Sequence, residues 1–193
     1  MKIYGDLQSG NCLKVKYVAD YIGLNYEWVS INITLGESRT DSFLEINPVG
    51  QVPVVAWDDG RTLAQSNAII RYLANGTALL PDDPFKQAEI DQWLFWEQYN
   101  HEPYVAVCRF HMHYLGKSKD SREAWRVERG EQALDTMEKQ LSSREWITDG
   151  EFSIADISLL AYTRVADEGG FDLSNRPHVQ RWIKGCEDRL KLD

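Results

Sequence analysis

The stretch Asn47-Pro48-Val49-Gly50-Gln51-Val52-Pro53-Val54-Val55 decides the fold of this chain. Two prolines and a glycine surround a short apolar run, which predicts a turn that leads into a strand. Pro53 lies where that strand begins, a position that suits a residue without a backbone N–H. Only about 5–6% of X–Pro bonds in folded proteins are cis, so these residues alone favour a trans bond on an edge strand. A cis bond would instead turn the backbone N–H and C=O of Val52 outward, toward an extended peptide lying alongside.

Strand and helix signals alternate on both sides of this turn. Asp59-Gly60 is a strong hairpin signal, and the helix between the first two strands makes a β-α-β unit. The order β-α-β-α-β-β-α predicts a parallel pair followed by a hairpin, with helices covering the sheet. The predicted strands are Lys2–Gly5, Tyr26–Ile31, Val52–Ala56 and Arg61–Ala64. The predicted helices are Cys12–Gly23, Thr40–Ile46 and a helix that Ser66 precedes and that ends at Asn75-Gly76.

The character of the chain changes after the proline-bearing linker 78–84, and no strand-like alternation follows. Phe85–Tyr114 is an aromatic-rich helical stretch in which Pro103 is expected to kink or break the helix. Glu123–Leu141 is amphipathic, and a last helix is predicted to start at Arg176-Pro177-His178 and to run to about Leu190. Ser153-Ile154-Ala155-Asp156 has the form of a capping box, so Ser153 and Asp156 are predicted to be structural capping residues.

Charge and composition narrow the possible partners and locations. The chain has 193 residues and a formal net charge of −9, which argues against nucleic acid or an anionic membrane as the main partner. No apolar run approaches the roughly 18–20 residues of a membrane span, and the N-terminal residues reach glycine and aspartate too soon for a signal peptide. The three cysteines, Cys12, Cys108 and Cys186, are widely spaced, which disfavours a disulfide framework, a zinc site or a dithiol motif. A cytoplasmic protein without a metal site is therefore expected.

Four motifs in the same order resemble those of the cytosolic glutathione transferases, in particular bacterial-type members with a serine or asparagine motif like that of the theta and delta classes. The resemblance spans nearly the whole chain, and together the four motifs are highly specific. It implies a thioredoxin-like glutathione-binding domain at 1–77, a linker at 78–84 and an all-α domain at 85–193. The motifs are Ser9-Gly10-Asn11-Cys12, the turn from Asn47 to Pro53, Gln65-Ser66-Asn67-Ala68-Ile69, and Phe152-Ser153-Ile154-Ala155-Asp156-Ile157.

The resemblance also implies which residues bind glutathione. It favours a cis bond before Pro53, so that the backbone of Val52 pairs with the cysteinyl unit, as in strand addition. Gln65 and Ser66 match the pair that binds the γ-glutamyl unit. On physical grounds Ser66 is a candidate N-cap, and a helix start offers N–H groups to a carboxylate, although most caps bind no ligand. Gln51 matches a position near the glycyl carboxylate, and Arg39 is assigned there as an additional charge.

The resemblance implies that Ser9 activates the glutathione thiol by donating a hydrogen bond to the sulfur. A free thiol has a pKa of about 8.5, and lowering it by two units requires about 2.7 kcal/mol. A hydrogen bond to a charged acceptor supplies roughly 1.5–3 kcal/mol and a helix N-terminus roughly 0.3–1 kcal/mol, so no general base is needed. Asn11 is the second choice, because its amide could also donate. Cys12 invites comparison with cysteine-type members, but it falls inside the predicted helix and is interpreted as a packing residue.

The resemblance places an electrophile pocket between the two domains and implies a homodimer. It also implies that glutathione is a co-substrate and that no cofactor is needed. The predicted activity is conjugation of the glutathione thiolate to a small hydrophobic electrophile. Glutathione-dependent peroxide or disulfide reduction, and a non-catalytic binding module of the same fold, are the alternatives. Aromatic residues at helical spacing more often belong to a core than to a pocket. The candidate pocket residues are Leu7, Tyr104, Phe110, His111 and Tyr114.

Overall fold

Four short strands form one mixed sheet in the first part of the chain: β1 (Lys2–Gly5), β2 (Glu27–Ser30), β3 (Val54–Ala56) and β4 (Thr62–Ala64). Their order in the sheet is β2-β1-β3-β4. β1 is parallel to β2 and antiparallel to β3, and β3 is antiparallel to β4. Ile3, Val54 and Val55 are fully buried, so the centre of the sheet contributes to the core. The predicted parallel pair and hairpin are confirmed.

Three helices accompany this sheet: α1 (Gly10–Tyr21), α2 (Asp41–Leu44) and α3 (Ser66–Leu73). A 3-10 turn at Glu37–Arg39 precedes α2. α1 and α3 pack against each other. α1 begins two residues before the predicted start, because Ser9 has the extended conformation of an N-cap, and Asn11 therefore lies in the first turn of the helix.

Three strands are shorter than predicted. β2 covers Glu27–Ser30 rather than Tyr26–Ile31. β3 begins at Val54 rather than Val52, directly after Pro53, which has no N–H for the ladder. β4 begins at Thr62 rather than Arg61. The backbone of Val52 therefore lies outside the sheet, at the end of the turn that precedes β3.

The computed structural model describes residues 1–192, and its contacts divide the chain into two units, Met1–Thr77 and the part from Ala78 onward. Asp193, the last residue of the expected helical domain, lies outside the described residues. No strand occurs among residues 78–192, which agrees with the predicted all-α character. No helix in the described part of the chain is both long enough and apolar enough to span a membrane. The helices of this unit are α4 (Pro84–Trp96), α5 (Glu102–Arg109), α6 (Ala124–Leu141), α7 (Ile154–Thr163) and α8 (Pro177–Leu190).

The helical chain does not break at Pro103. A π-helical segment precedes this proline, and the helix continues after it. Residues Glu97–His101 have π-helical geometry, and Pro103 lies in the first turn of α5, directly after that segment. A proline removes one backbone donor from an α-helix, and the wider π-helical turn before it accommodates that loss without a chain break. A second π-helical segment, Phe110–Tyr114, extends α5, and 3-10 turns occur at Lys119–Ser121 and Ala166–Gly169.

The predicted capping box at the start of α7 is confirmed, and every residue of that helix is buried. Ser153 Oγ accepts from the Ala155 N–H at 3.2 Å, and Asp156 Oδ2 accepts from the Ser153 N–H at 3.0 Å. The other carboxylate oxygen of Asp156 accepts from the Ile147 N–H and from Trp182 Nε1, both at 2.8 Å. Burial raises the pKa of Asp156, and these donors oppose that rise. Asp156 thus connects α7 to α8 and to the loop before α7.

Candidate functional site

The turn that precedes β3 is held together by Asn47, which is almost fully buried. Its Nδ2 donates to the Gln51 carbonyl at 2.8 Å, and its Oδ1 accepts from the Val49 N–H at 3.2 Å. Gly50 has a φ of 65°, a conformation that glycine adopts without strain. The Gly50 N–H also donates to the Asn47 carbonyl at 2.9 Å. The local sequence therefore fixes the position at which Gln51 and Val52 leave the turn.

Arg39 supports the same turn rather than standing apart from it. Its Nη1 donates to the Val49 carbonyl at 2.9 Å. A Cβ atom on Gly50 would lie 2.7 Å from that Nη1, so glycine is also required for the close approach of the guanidinium. The contact of Arg39 with a ligand stays a prediction.

The Val52–Pro53 peptide bond is cis, as the resemblance implies. Pro53 is buried and Val52 is half-buried, whereas Gln51 is exposed. Neither the N–H nor the C=O of Val52 forms a hydrogen bond with another of residues 1–192. These two groups are therefore available to an extended peptide.

The start of α1 carries the candidate donors to a thiol. Ser9 occupies the N-cap position, is half-buried and makes no capping hydrogen bond with its side chain. Cys12 is fully buried, and this burial raises the pKa of its thiol to about 11, although hydrogen bonds from the Asp6 backbone and the Ser9 side chain act in the opposite direction. Cys12 is therefore a neutral thiol near pH 7, which supports its interpretation as a packing residue.

The start of α3 differs from the prediction. Gln65, not Ser66, is the N-cap residue, and Ser66 is the first residue of the helix. The prediction was wrong because Gln65 has a φ of 70° and a ψ of 110°, a left-handed conformation that no local sequence signal indicates for glutamine. Residues held in sparsely populated backbone conformations cluster at active sites, ligand clamps and switch regions.

The structure brings two of the predicted motifs together at the interface of α1 and α3. The hydroxyl of Ser66 is buried and donates to Asn11 Oδ1 at 3.1 Å, across 55 positions of sequence. Lys14, which the sequence analysis did not single out, has an exposure of 0%, and its Nζ donates to the same oxygen at 2.9 Å. Its spacing of four residues from both Gly10 and Val18, which are also buried, is the signal that could have identified it.

The predicted electrophile-pocket residues are distributed over both units. Leu7 lies in the loop after β1 and is 53% exposed. In the second unit, Phe110 and Tyr114 stack at a centroid distance of 5.3 Å, and His111 lies beside Phe110. Tyr104 instead packs edge-on against Trp125. Among the predicted aromatic residues, the rings of Phe110, His111 and Tyr114 therefore form one group.

Comparison with known proteins agrees with the resemblance. The family model for the glutathione S-transferase N-terminal domain matches residues 1–75, and that for the C-terminal domain matches residues 119–185. Glutathione S-transferase 3 of Zea mays is 30% identical over 98% of this chain and 90% of its own length. A crystal structure of a glutathione S-transferase from Pseudomonas fluorescens is 47% identical, covers 96% of this chain and 94% of its own, and has a TM-score of 0.92.

A third similarity concerns the fold alone. The structure of Ure2p in complex with glutathione has a TM-score of 0.88 and is 23% identical, and it covers 98% of this chain and 95% of its own. The family models cover most of both units, and the relatives match nearly end to end. This chain belongs to the glutathione S-transferase family.

Proposed function

We propose that this protein binds glutathione in its first unit and transfers the glutathione thiolate to a small hydrophobic electrophile. The observation that carries the proposal is the contact between Asn11 and Ser66, because it joins the start of α1, expected to activate the thiol, to the start of α3, expected to bind the γ-glutamyl unit. The Asn47 turn supplies the third part of the site, with free backbone groups at Val52.

Glutathione would bind as a short extended peptide. The N–H and C=O of Val52 would pair with the cysteinyl unit, as in strand addition. The γ-glutamyl carboxylate would accept from the N–H groups at the start of α3, which carry a partial positive charge. Gln65 would contact the γ-glutamyl unit as well, while Gln51 and Arg39 would lie near the glycyl carboxylate.

The chemical step requires the thiol to lose its proton before it attacks. Ser9 is proposed as the main donor to the sulfur, since its hydroxyl is not used for capping. The thiol proton passes to solvent, the sulfur forms a bond to the electrophilic carbon, and the leaving group departs with its electron pair. The protein contributes thiolate stabilisation and proximity of the two substrates. The rings of Phe110, His111 and Tyr114 would contribute to the electrophile pocket.

A conjugation assay tests the proposal. The protein is expected to be retained on immobilised glutathione and to accelerate the reaction of glutathione with a generic aryl halide well above the uncatalysed rate. Retention without turnover would instead favour a non-catalytic binding module. The absence of both retention and turnover would refute a glutathione site.

The proposal includes a homodimer, which the family resemblance implies. Analytical ultracentrifugation at micromolar protein concentration is expected to show a species of twice the 22.3 kDa chain mass. A monomer alone under those conditions would contradict it. The cytoplasmic location stays a prediction from the sequence.

A further inference from the structure

Lys14 is a buried cation in the first unit that the proposed reaction has not yet used. It lies in the second turn of α1 with an exposure of 0%. Lysine is almost never fully buried unless its ammonium has partners, because removing a charge from water is costly. Its Nζ donates to Asn11 Oδ1 at 2.9 Å, so the buried charge contacts a residue that is a candidate for binding the thiol.

The contact with Lys14 determines which way the Asn11 carboxamide is turned. An ammonium group has three donors and no acceptor, so the atom facing it must be the carboxamide oxygen and not the amino group. The Ser66 hydroxyl donates to the same oxygen at 3.1 Å, but a hydroxyl can donate or accept, so it would tolerate either orientation. Lys14 therefore excludes the flipped carboxamide, whereas Ser66 does not.

The carboxamide oxygen of Asn11 faces Lys14 and Ser66, so its amino group points away from both of them. Asn11 lies in the first turn of α1, two residues after Ser9. We propose that Lys14 is a positioning residue, which holds the Asn11 carboxamide so that its amino group donates to the sulfur of bound glutathione. The inference rests on the proposed function and adds to it a second donor besides Ser9, together with the residue that orients this donor.

Replacing Lys14 by methionine keeps the length of the side chain and removes its charge and donors. Asn11 can then adopt both orientations, and the sulfur loses its second donor for part of the time. We expect Lys14→Met to raise the pKa of bound glutathione by up to about one unit, which lowers the thiolate fraction up to about tenfold. Below that pKa, kcat should fall by a similar factor, while the KM for glutathione should change much less.

Lys16→Met is the matched control. Lys16 lies on the same helix two positions further on, and its Nζ binds the exposed Asp20 carboxylate at 2.6 Å and the Tyr26 hydroxyl at 3.3 Å. It forms no hydrogen bond with Asn11 or Ser66, so its replacement should leave the pH profile unchanged. The profile is measured by ultraviolet difference absorbance of the thiolate and by the pH dependence of kcat/KM.

A double-mutant cycle separates positioning from a general loss of structure. Asn11→Ala should shift the thiol pKa at least as much as Lys14→Met, and the double variant should show no shift beyond that of Asn11→Ala. Additive shifts would overturn the proposal, because they would mean that Lys14 acts independently of Asn11. If Lys14→Met does not fold, Asn11→Asp provides the test, because it keeps an oxygen for Lys14 and Ser66 and removes the amino donor. A wild-type thiol pKa in Asn11→Asp would likewise overturn the proposal.

Failure of this inference is distinguishable from failure of the proposed function. If the wild-type protein and Lys16→Met neither bind nor ionise glutathione, the proposed function is wrong. If both lower the thiol pKa and Lys14→Met does so equally well, only the positioning role of Lys14 is wrong.

Discussion

Asp156→Ala is expected to lower the free energy of unfolding by about 3–5 kcal/mol, because it leaves several buried donors without an acceptor. The carboxylate of Asp156 accepts from the Ser153 N–H, the Ile147 N–H and Trp182 Nε1, and all of these contacts are buried. An ordinary N-cap replacement costs only about 0.5–2 kcal/mol, which is what the capping-box motif alone would predict. The additional loss comes from Ile147 and Trp182, which the motif does not include.

Asp83→Ala is the matched control for this loss of stability. Asp83 is the exposed N-cap residue of α4, and its Oδ1 accepts from the N–H groups of Phe85 and Lys86 at 2.8 and 3.0 Å. Its replacement should cost about 0.5–2 kcal/mol. Urea unfolding followed by tryptophan fluorescence measures both variants. Equal losses of stability in the two variants would show that Asp156 acts only as a cap. The kcat and KM of the folded Asp156→Ala protein should hardly change.

Ser9→Ala is expected to have the largest effect on catalysis. A hydrogen bond to a charged acceptor is worth roughly 1.5–3 kcal/mol, which corresponds to about one to two pKa units. Because Ser9 is the proposed donor to the thiolate, its loss should raise the pKa of bound glutathione by that amount. At neutral pH kcat/KM should then fall by about 10- to 100-fold, and it should recover as the pH rises through the new pKa.

Ser42→Ala provides the matched control for Ser9. Ser42 is an exposed serine of α2 in the same unit, and its hydroxyl lies 3.3 Å from that of Thr40. Its replacement should leave the pH profile unchanged. A wild-type profile for Ser9→Ala, combined with a large shift for Asn11→Ala, would transfer the main role to Asn11.

Much of the first unit was predictable because glycine and proline mark its turns and a helix connects its first two strands. The Asp59-Gly60 hairpin and the parallel pair of β1 and β2 follow from such local signals, and both are present. The start of α3 was not predictable, since the left-handed conformation of Gln65 is imposed by its surroundings and leaves no mark in the local sequence.

Contacts between distant positions account for the other differences. The role of Asp156 as a buried acceptor depends on Trp182, which is 26 positions away and carries no motif. The carboxamide oxygen of Asn11 accepts from Ser66, which is 55 positions away, and from Lys14. Lysine is usually exposed, so the buried position of Lys14 was not predicted. The π-helical segment Glu97–His101 ends directly before the helical turn that contains Pro103, and the sequence analysis predicted a kink or break there without its form.

The most direct test of the account is the pH titration of the glutathione thiol on the wild-type protein, followed by ultraviolet difference absorbance. The account predicts saturable binding and a thiol pKa clearly below the value of about 8.5 for a free thiol, so that much of the bound glutathione is thiolate near pH 7. Glutathione that binds yet keeps the pKa of the free thiol, or that does not bind at all, would contradict the central claim.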